Sequence, residues 1–193
     1  MDNIQKLIDS KLIEIVVDDF AEKYGADEQA LNQLFKTYNK NNVYEQVLIK
    51  VITLNELYST QLYSKQLHLM VQRIISLTDL DSLLRTGDIE AIHLIGQKTN
   101  DDFNSAFVFA SKYCSFHNPK SFPIFDSLSR NSIFKLNEKY CFTSIKYKNR
   151  LEDYSFYKNA IDDLRKVLNY KYSYKDLDIF LWMLGKYPDK YRY

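Results

Sequence analysis

Residues 43–57 read VYEQVLIKVITLNEL, and this stretch decides the fold class. Its apolar residues recur at steps of three and four, which is the period of an α-helix. They also cover much of the helix circumference, which is typical of a helix buried on several sides. The stretch therefore predicts a central helix in an all-α protein.

The same spacing continues along the rest of the chain. A first helix is predicted from Ile4 to a stop at Gly25, and a second begins at a cap formed by Asp27. The other predicted helices cover residues 64–77, 79–85, 88–95, 103–117, 126–140, 151–168 and 174–185. Residues 140–147 have some β character, but one or two strands would not change the class.

We predict an all-α fold in which residues 1–193 form a single helical domain. Residues 43–186 make up its core, and the acidic helices of residues 1–40 are a candidate sub-lobe. Trp182 lies in an apolar helix and is predicted to belong to the core. Residues 170–175 alternate aromatic and basic side chains, which is typical either of single-strand binders or of a loop before a helix capped by Ser173.

Composition excludes several classes of protein. The chain has 193 residues, of which 46% are hydrophobic, and only four Gly and three Pro, too few for a β-sandwich or barrel. No apolar run is long enough to cross a membrane, and the first residues lack the order of a signal peptide. Two cysteines cannot build a disulfide framework or a four-ligand zinc site. We expect a cytoplasmic protein with no membrane contact, metal or other cofactor; its oligomeric state is left open.

Charge is distributed unevenly along the chain. Residues 1–104 carry 10 Lys and Arg against 16 Asp and Glu, whereas residues 105–193 carry 16 against 9. The carboxy-terminal half can therefore present a basic face, which permits binding to nucleic acid without specifying it.

Residues 109–127 read FASKYCSFHNPKSFPIFDS and hold the densest set of polar candidates. Asp126 follows an apolar run and opens a helix, so its first interpretation is a helix N-cap. Lys112 is either a solvent-facing lysine or a desolvated amine that acts as a nucleophile or anion ligand. His117 has no second ligand three or four residues away, so no metal site is predicted.

Two short segments resemble the helix-hairpin-helix DNA glycosylases. IGQKT at residues 95–99 is similar to their hairpin, and FPIFDS at residues 122–127 is similar to the stretch that holds their catalytic aspartate. Residues 109–127, with KVITLNELYST at 50–60 and DLDIFLWMLG at 176–185, also resemble a widespread group of uncharacterised bacterial proteins. The resemblance to this uncharacterised group covers most of residues 43–186, whereas the resemblance to the glycosylases is confined to the two short segments. The resemblance to the glycosylases implies a glycosylase-like helical fold.

The resemblance also implies a base-excising activity. Asp126 would stabilise positive charge on the sugar, and Lys112 is a candidate nucleophile for a Schiff base. The residues implied around a flipped base are Ser111, Tyr113, His117, Asn118, Phe125 and Ser127. Phosphate contacts are assigned to Lys98, Lys120, Arg130 and Lys135. The expected partner is DNA, and RNA is left open.

Two other functions fit the same residues. A helical scaffold of this kind can bind nucleic acid without cutting it, since fold alone does not define activity. It can also be a protein-interaction domain in which Lys112 and Asp126 form a structural ion pair. Phe122 and Phe125 can stack on a flipped base or belong to the core, and the core is the preferred interpretation.

Overall fold

A computed structural model describes residues 4, 7, 11–97 and 106–191. Within these residues the regular structure is entirely helical, with nine α-helices and one 3₁₀ helix, which confirms the all-α prediction. They are α1 (Leu12–Thr37), α2 (Tyr44–Tyr58), α3 (Ser64–Ser76), α4 (Leu80–Thr86), α5 (Glu90–Gly96), α6 (Phe107–His117), α7 (Ser127–Tyr140), the 3₁₀ helix (Lys148–Glu152), α8 (Tyr154–Val167) and α9 (Tyr174–Lys186). No helix among the described residues combines the length and the hydropathy needed to span a membrane.

The chain divides into two compact units. The central unit is Ala26–Ile124, and the terminal unit combines Met1–Gly25 with Phe125–Tyr193. In the central unit, α2 packs on α3 and α6, and α5 packs on α6. In the terminal unit, α7 packs on α9, and the 3₁₀ helix packs on α7 and α8.

The predicted helix stop at Gly25 is wrong. A single helix, α1, runs from Leu12 through Gly25 to Thr37, so Asp27 lies inside a helix and not at a cap. Glycine costs only about 1 kcal/mol relative to alanine in a helix interior. The neighbouring Ala, Glu, Lys and Gln residues favour the helix strongly enough to continue it.

Gly87 is required by the backbone, whereas Gly25 is not. Gly87 ends α4 with φ +76°, and a Cβ there would lie 2.4 Å from Oγ of Ser121, while a Cβ at Gly25 would meet nothing within 4 Å. We expect Gly87→Ala to lower the free energy of unfolding by about 1–2 kcal/mol and Gly25→Ala to raise it by about 1 kcal/mol. Urea denaturation of both variants checks this, and a stabilised Gly87→Ala would show the account of the α4 terminus to be wrong.

Side chains mark several helix ends as predicted. The α6 helix stops at His117, directly before Asn118 and Pro119, and Ser173 caps α9 in a capping box with Asp176.

No strand forms in residues 140–147. This segment is held instead by one amide side chain. Asn137 accepts from the Thr143 amide at 2.8 Å and donates to the Ile145 carbonyl at 3.1 Å.

Burial agrees with most of the predicted core. Phe122 is 0% exposed and Phe125 is 5% exposed, so both are core residues. Trp182 is only half-buried, which corrects the prediction that it belongs to the core. Its helix face is apolar in sequence, but one side of it remains open to solvent.

Candidate functional site

The central unit contains a pocket of about 490 Å³. Its walls come from the last turns of α1 with the loop that follows, from α4, and from the end of α6. Three stretches far apart in sequence therefore meet around one volume. A volume of this size lies within the usual range of small-ligand sites.

The rim of the pocket carries more positive than negative charge. Lys36, Lys40 and Arg85 line it together with a single carboxylate, Asp81. Asp81 is already engaged, because its Oδ1 accepts from Nδ2 of Asn41 at 2.8 Å and its Oδ2 lies 3.6 Å from Nζ of Lys40. The remaining positive charge favours an anionic ligand.

Aromatic rings form one wall of the pocket. The rings of Phe35 and His117 meet edge to face with centroids 5.0 Å apart, and the rings of Phe35 and Phe116 are 5.4 Å apart. Amide groups of Asn32, Asn39 and Asn118 complete the lining. An amide side chain both donates and accepts hydrogen bonds, so the lining suits a flat ligand with polar edges.

A fully buried lysine lies behind this wall. Lys50 is in α2, and its Nζ donates to the Lys40 carbonyl at 3.0 Å and to Oδ1 of Asn41 at 2.7 Å. The same Nζ lies 3.2 Å from Nε2 of His117. The Tyr113 hydroxyl donates to the same Asn41 oxygen at 2.5 Å. The amine therefore has a hydrogen-bond partner for each of its hydrogens inside the protein.

Burial shifts the protonation of both members of the Lys50–His117 contact. Desolvation lowers the pKa of Lys50 to about 7, although the negative charge of Asp81 raises it in part. Desolvation, together with the nearby charge of Lys50, lowers the pKa of His117 to about 3. At neutral pH the His117 ring is therefore uncharged, and the Lys50 amine is near its midpoint.

Three of the residues predicted around a flipped base lie at or behind this pocket. His117 and Asn118 line it, and Tyr113 is buried directly behind it. Asn118 also donates to the Leu84 carbonyl at 2.9 Å. This bond joins the end of α6 to α4, and it fixes two walls of the pocket relative to each other.

Lys112 and Ser111 are buried elsewhere in the central unit and do not line the pocket. Lys112 is 6% exposed, so it is desolvated and not solvent-facing. Its Nζ donates to the Tyr58 carbonyl at 3.2 Å and lies 5.1 Å from the Tyr58 ring centroid. Ser111 donates to the Val108 carbonyl at 3.0 Å.

Asp126 and Phe125 belong to the terminal unit. Asp126 is 9% exposed, and its Oδ1 accepts from the Ser129 amide at 2.8 Å, which confirms the predicted N-cap of α7. The Phe125 ring packs edge to face on Tyr157 with centroids 5.4 Å apart. The guanidinium of Arg130 lies 4.8 Å from the centroid of the Phe125 ring.

A second buried carboxylate, Asp178, shares the surroundings of Asp126. Asp178 is 4% exposed. Burial raises the pKa of the Tyr157 phenol, and the charges of Asp178 and Asp126 raise it further. The terminal unit thus places two carboxylates near one buried hydroxyl, a grouping that no local sequence motif indicates.

The remaining predicted contacts do not form one cluster. Lys120 and Lys135 are exposed, the first in the central unit and the second on α7 in the terminal unit. Ser127 is exposed as the first residue of α7. Lys98 lies outside the described residues.

Lys50 was missed although the sequence holds a signal for it. It lies at helical spacing with Val47, Val51 and Leu54, so the apolar stripe that predicts α2 also predicts a buried lysine. The pocket cations have no such signal, because exposed lysines and arginines are ordinary on any helix.

The described part of the chain holds no group of three or more His, Cys, Asp or Glu side chains placed to bind a metal ion. Both cysteines are free. Cys114 is buried, and burial raises the pKa of its thiol; Cys141 is exposed.

Residues 4–121 match a family model described as HI_0787_N, N-terminal domain. The chain belongs to this family. The matched range includes every residue that lines the pocket, whereas Asp126 lies beyond it. An uncharacterized protein of Haemophilus influenzae is 35% identical over 143 residues, which are 74% of this chain and 67% of that protein. No solved structure gave a significant match.

Proposed function

We propose that this HI_0787_N family protein binds DNA and that the pocket of its central unit receives an unpaired base with its phosphate. One observation supports this above all. Three cations, an aromatic wall and three amides surround a single volume with one lining carboxylate, Asp81, which is engaged by Asn41 and by one of the cations, Lys40.

Each part of the lining matches one part of a nucleotide. Lys36, Lys40 and Arg85 supply charge for phosphate oxygens, which dominate the affinity of proteins for nucleic acid. The rings of Phe116 and the uncharged His117 offer apolar surface to a base. The asparagine amides can satisfy the donors and acceptors at the edge of a base.

Fluorescence polarisation with a labelled oligonucleotide tests the proposal. We expect the protein to bind single-stranded DNA at low salt and to bind a duplex of the same sequence more weakly, because base pairing must first be broken. The affinity should fall steeply as salt is added. Equal affinity for the single strand and the duplex would rule out entry of a base into the pocket. Tighter binding of RNA of the same sequence would show that RNA, and not DNA, is the partner. Absence of binding at low salt would overturn the proposal.

A second candidate is the base-excising activity that the resemblance to helix-hairpin-helix glycosylases implies. The observation in its favour is that two carboxylates, Asp126 and Asp178, are buried near the Tyr157 hydroxyl, an arrangement that helix capping by Asp126 alone does not require. In this activity Asp126 stabilises the positive charge that develops on the sugar.

Two matched aspartates separate this activity from simple helix capping. Asp126 caps α7, and Asp153 caps α8 by accepting from the amides of Ser155 and Phe156. Asparagine caps helices about as well as aspartate, so we expect both Asp126→Asn and Asp153→Asn to fold. If the protein excises bases, only Asp126→Asn should abolish release of uracil, 8-oxoguanine or an alkylated base from a duplex.

Borohydride trapping on an abasic duplex tests the Schiff base. A trapped adduct that is lost in Lys112→Ala would support the lyase step. Release of no base from any of these duplexes, with no trapped adduct, would reject the excision activity and leave the binding proposal intact.

A further inference from the structure

The terminal unit exposes a mixed aromatic and basic surface. Side chains of α1 and of the end of α9 form it, and all its rings are half-buried while its two lysines are exposed. We call it the Trp182 patch, and it consists of Phe20, Lys23, Tyr24, Trp182, Lys186 and Tyr187.

The rings of the patch support one another. The Trp182 ring meets Tyr24 edge to face at a centroid distance of 5.4 Å and Phe20 at 6.1 Å. The hydroxyls of Tyr24 and Tyr187 lie 2.8 Å apart and share a hydrogen bond. Edge-to-face pairs of this kind are favourable for aromatic rings, so the two contacts stabilise the position of the indole.

Both lysines lie over these rings. Nζ of Lys186 is 4.1 Å from the Trp182 centroid and 4.9 Å from that of Tyr24. Nζ of Lys23 donates to the Tyr187 hydroxyl at 2.6 Å and lies 4.8 Å from the Tyr187 centroid. The two ammonium groups thus share one set of aromatic faces.

Neither ammonium is neutralised by a carboxylate among the described residues. Asp19 lies one helical turn before Lys23, but its Oδ2 already accepts from Nζ of Lys190 at 2.7 Å and from the Tyr191 hydroxyl at 2.6 Å. Two uncompensated positive charges beside flat apolar faces attract an anion that itself carries flat rings.

A foreign cation is a poor ligand for the same surface. The aromatic faces already hold Lys23 and Lys186, which are tethered and therefore present at a high effective concentration. An external ammonium would have to displace them. An anionic ligand instead gains the attraction of both charges, and this attraction offsets the cost of moving Lys186 off the Trp182 ring.

We propose that the Trp182 patch binds single-stranded nucleic acid, with phosphates on Lys23 and Lys186 and a base against the face of Trp182. This inference rests on the proposed DNA-binding function and adds a contact in the terminal unit. Lys186 leaves the indole face to reach a phosphate, and a base takes its place on the ring. Stacking of this kind tolerates any base sequence, because every base has a flat face.

Trp182 reports on the patch directly because it is the only tryptophan in the chain. Titration of the whole protein with oligo(dT) should quench the fluorescence of Trp182 as a base stacks on it. In parallel, polarisation of a labelled oligo(dT) reports binding anywhere on the protein. Lys23→Ala/Lys186→Ala should reduce the slope of log affinity against log salt by about 1.4, which is the loss of two single-strand phosphate contacts.

A matched double variant controls for net charge. Lys146→Ala/Lys148→Ala removes two exposed lysines from the same unit, so we expect it to leave both the quenching and the salt slope unchanged. Trp182→Ala should weaken binding roughly 5- to 100-fold if it folds. The lysine variants alter only exposed groups, so we expect them to fold. They therefore test whether the Trp182 patch binds nucleic acid even if Trp182→Ala does not fold.

The outcomes separate this inference from the proposed function. Quenching, together with a reduced slope in Lys23→Ala/Lys186→Ala alone, supports the patch. Polarisation that rises while Trp182 fluorescence and the slope stay constant overturns the patch and leaves the pocket proposal standing. Quenching by poly-glutamate but not by oligo(dT) overturns the patch in favour of an acidic protein partner. No binding by either readout overturns both proposals.

Discussion

The contribution of Lys50 to the free energy of unfolding should rise as the pH increases from about 7 to about 10, because this lysine is buried with a lowered pKa. The pKa of its amine is about 7 in the folded chain against 10.5 for an ordinary lysine. Between these values the unfolded chain binds more protons than the folded chain, so removing protons favours folding. Each pKa unit corresponds to 1.36 kcal/mol, and the expected gain is on the order of 3 kcal/mol.

Lys50→Met isolates this effect from the titration of other groups. Methionine has a similar length and carries no proton, so the difference in stability between the native protein and the variant should grow in favour of the native protein as the pH rises. Asp81 faces the amine and opposes part of the shift. Urea denaturation at several pH values measures the difference, and parallel curves for the two proteins would show that the Lys50 amine does not titrate as described.

The lowered pKa of His117 also makes the free energy of unfolding rise with pH, but it does so in the acidic range. Its pKa is about 3 in the folded chain against 6.5 for an ordinary histidine, so the stability that it contributes is lost as the pH falls through this interval. His117→Gln should be less sensitive to acid than the native protein between these two pH values. If the variant loses as much stability at acidic pH as the native protein does, then groups other than His117 cause the acid sensitivity.

Removal of the three pocket cations should weaken binding of single-stranded DNA by about 10²-fold at about 50 mM salt. The triple variant Lys36→Ala/Lys40→Ala/Arg85→Ala loses three phosphate contacts, each of which contributes about 0.7 to the salt slope of a single strand. The slope should therefore fall by about 2. Arg85 and Lys36 are exposed, so the substitutions should leave the fold intact.

A triple variant with the same change in charge provides the control. Lys146→Ala/Lys148→Ala/Arg150→Ala removes three exposed cations near the 3₁₀ helix of the terminal unit. We expect it to bind almost as tightly as the native protein. Equal losses in the two triple variants would mean that net charge, and not the pocket, determines affinity.

Features that depend on residues close together in sequence, such as a helix or its cap, were predictable from the sequence. The spacing of apolar residues predicted α2, and the position of Asp126 after an apolar run predicted its N-cap on α7. The helix stop at Gly25 was wrong because a single glycine is a weak signal against strong helix formers on both sides. Lys50 was predictable in principle from its register in α2.

The pocket was not predictable from the sequence. Lys36, Arg85 and His117 come from three helices, and only the packing of the central unit brings them around one volume. The Trp182 patch has the same origin, because α1 and α9 contribute its rings from opposite ends of the chain. Sequence spacing within one helix contains no information about such encounters between helices.

Photocrosslinking tests directly whether single-stranded DNA enters the pocket of the central unit. A single-stranded oligonucleotide containing 4-thiothymidine is irradiated with the native protein at low salt, and the modified peptides are mapped. We expect crosslinks within residues 32–40, 81–85 or 116–118, the segments that contribute the lining of the pocket, and their loss in Lys36→Ala/Lys40→Ala/Arg85→Ala. Crosslinks confined to residues outside Ala26–Ile124, or none at all, would contradict it.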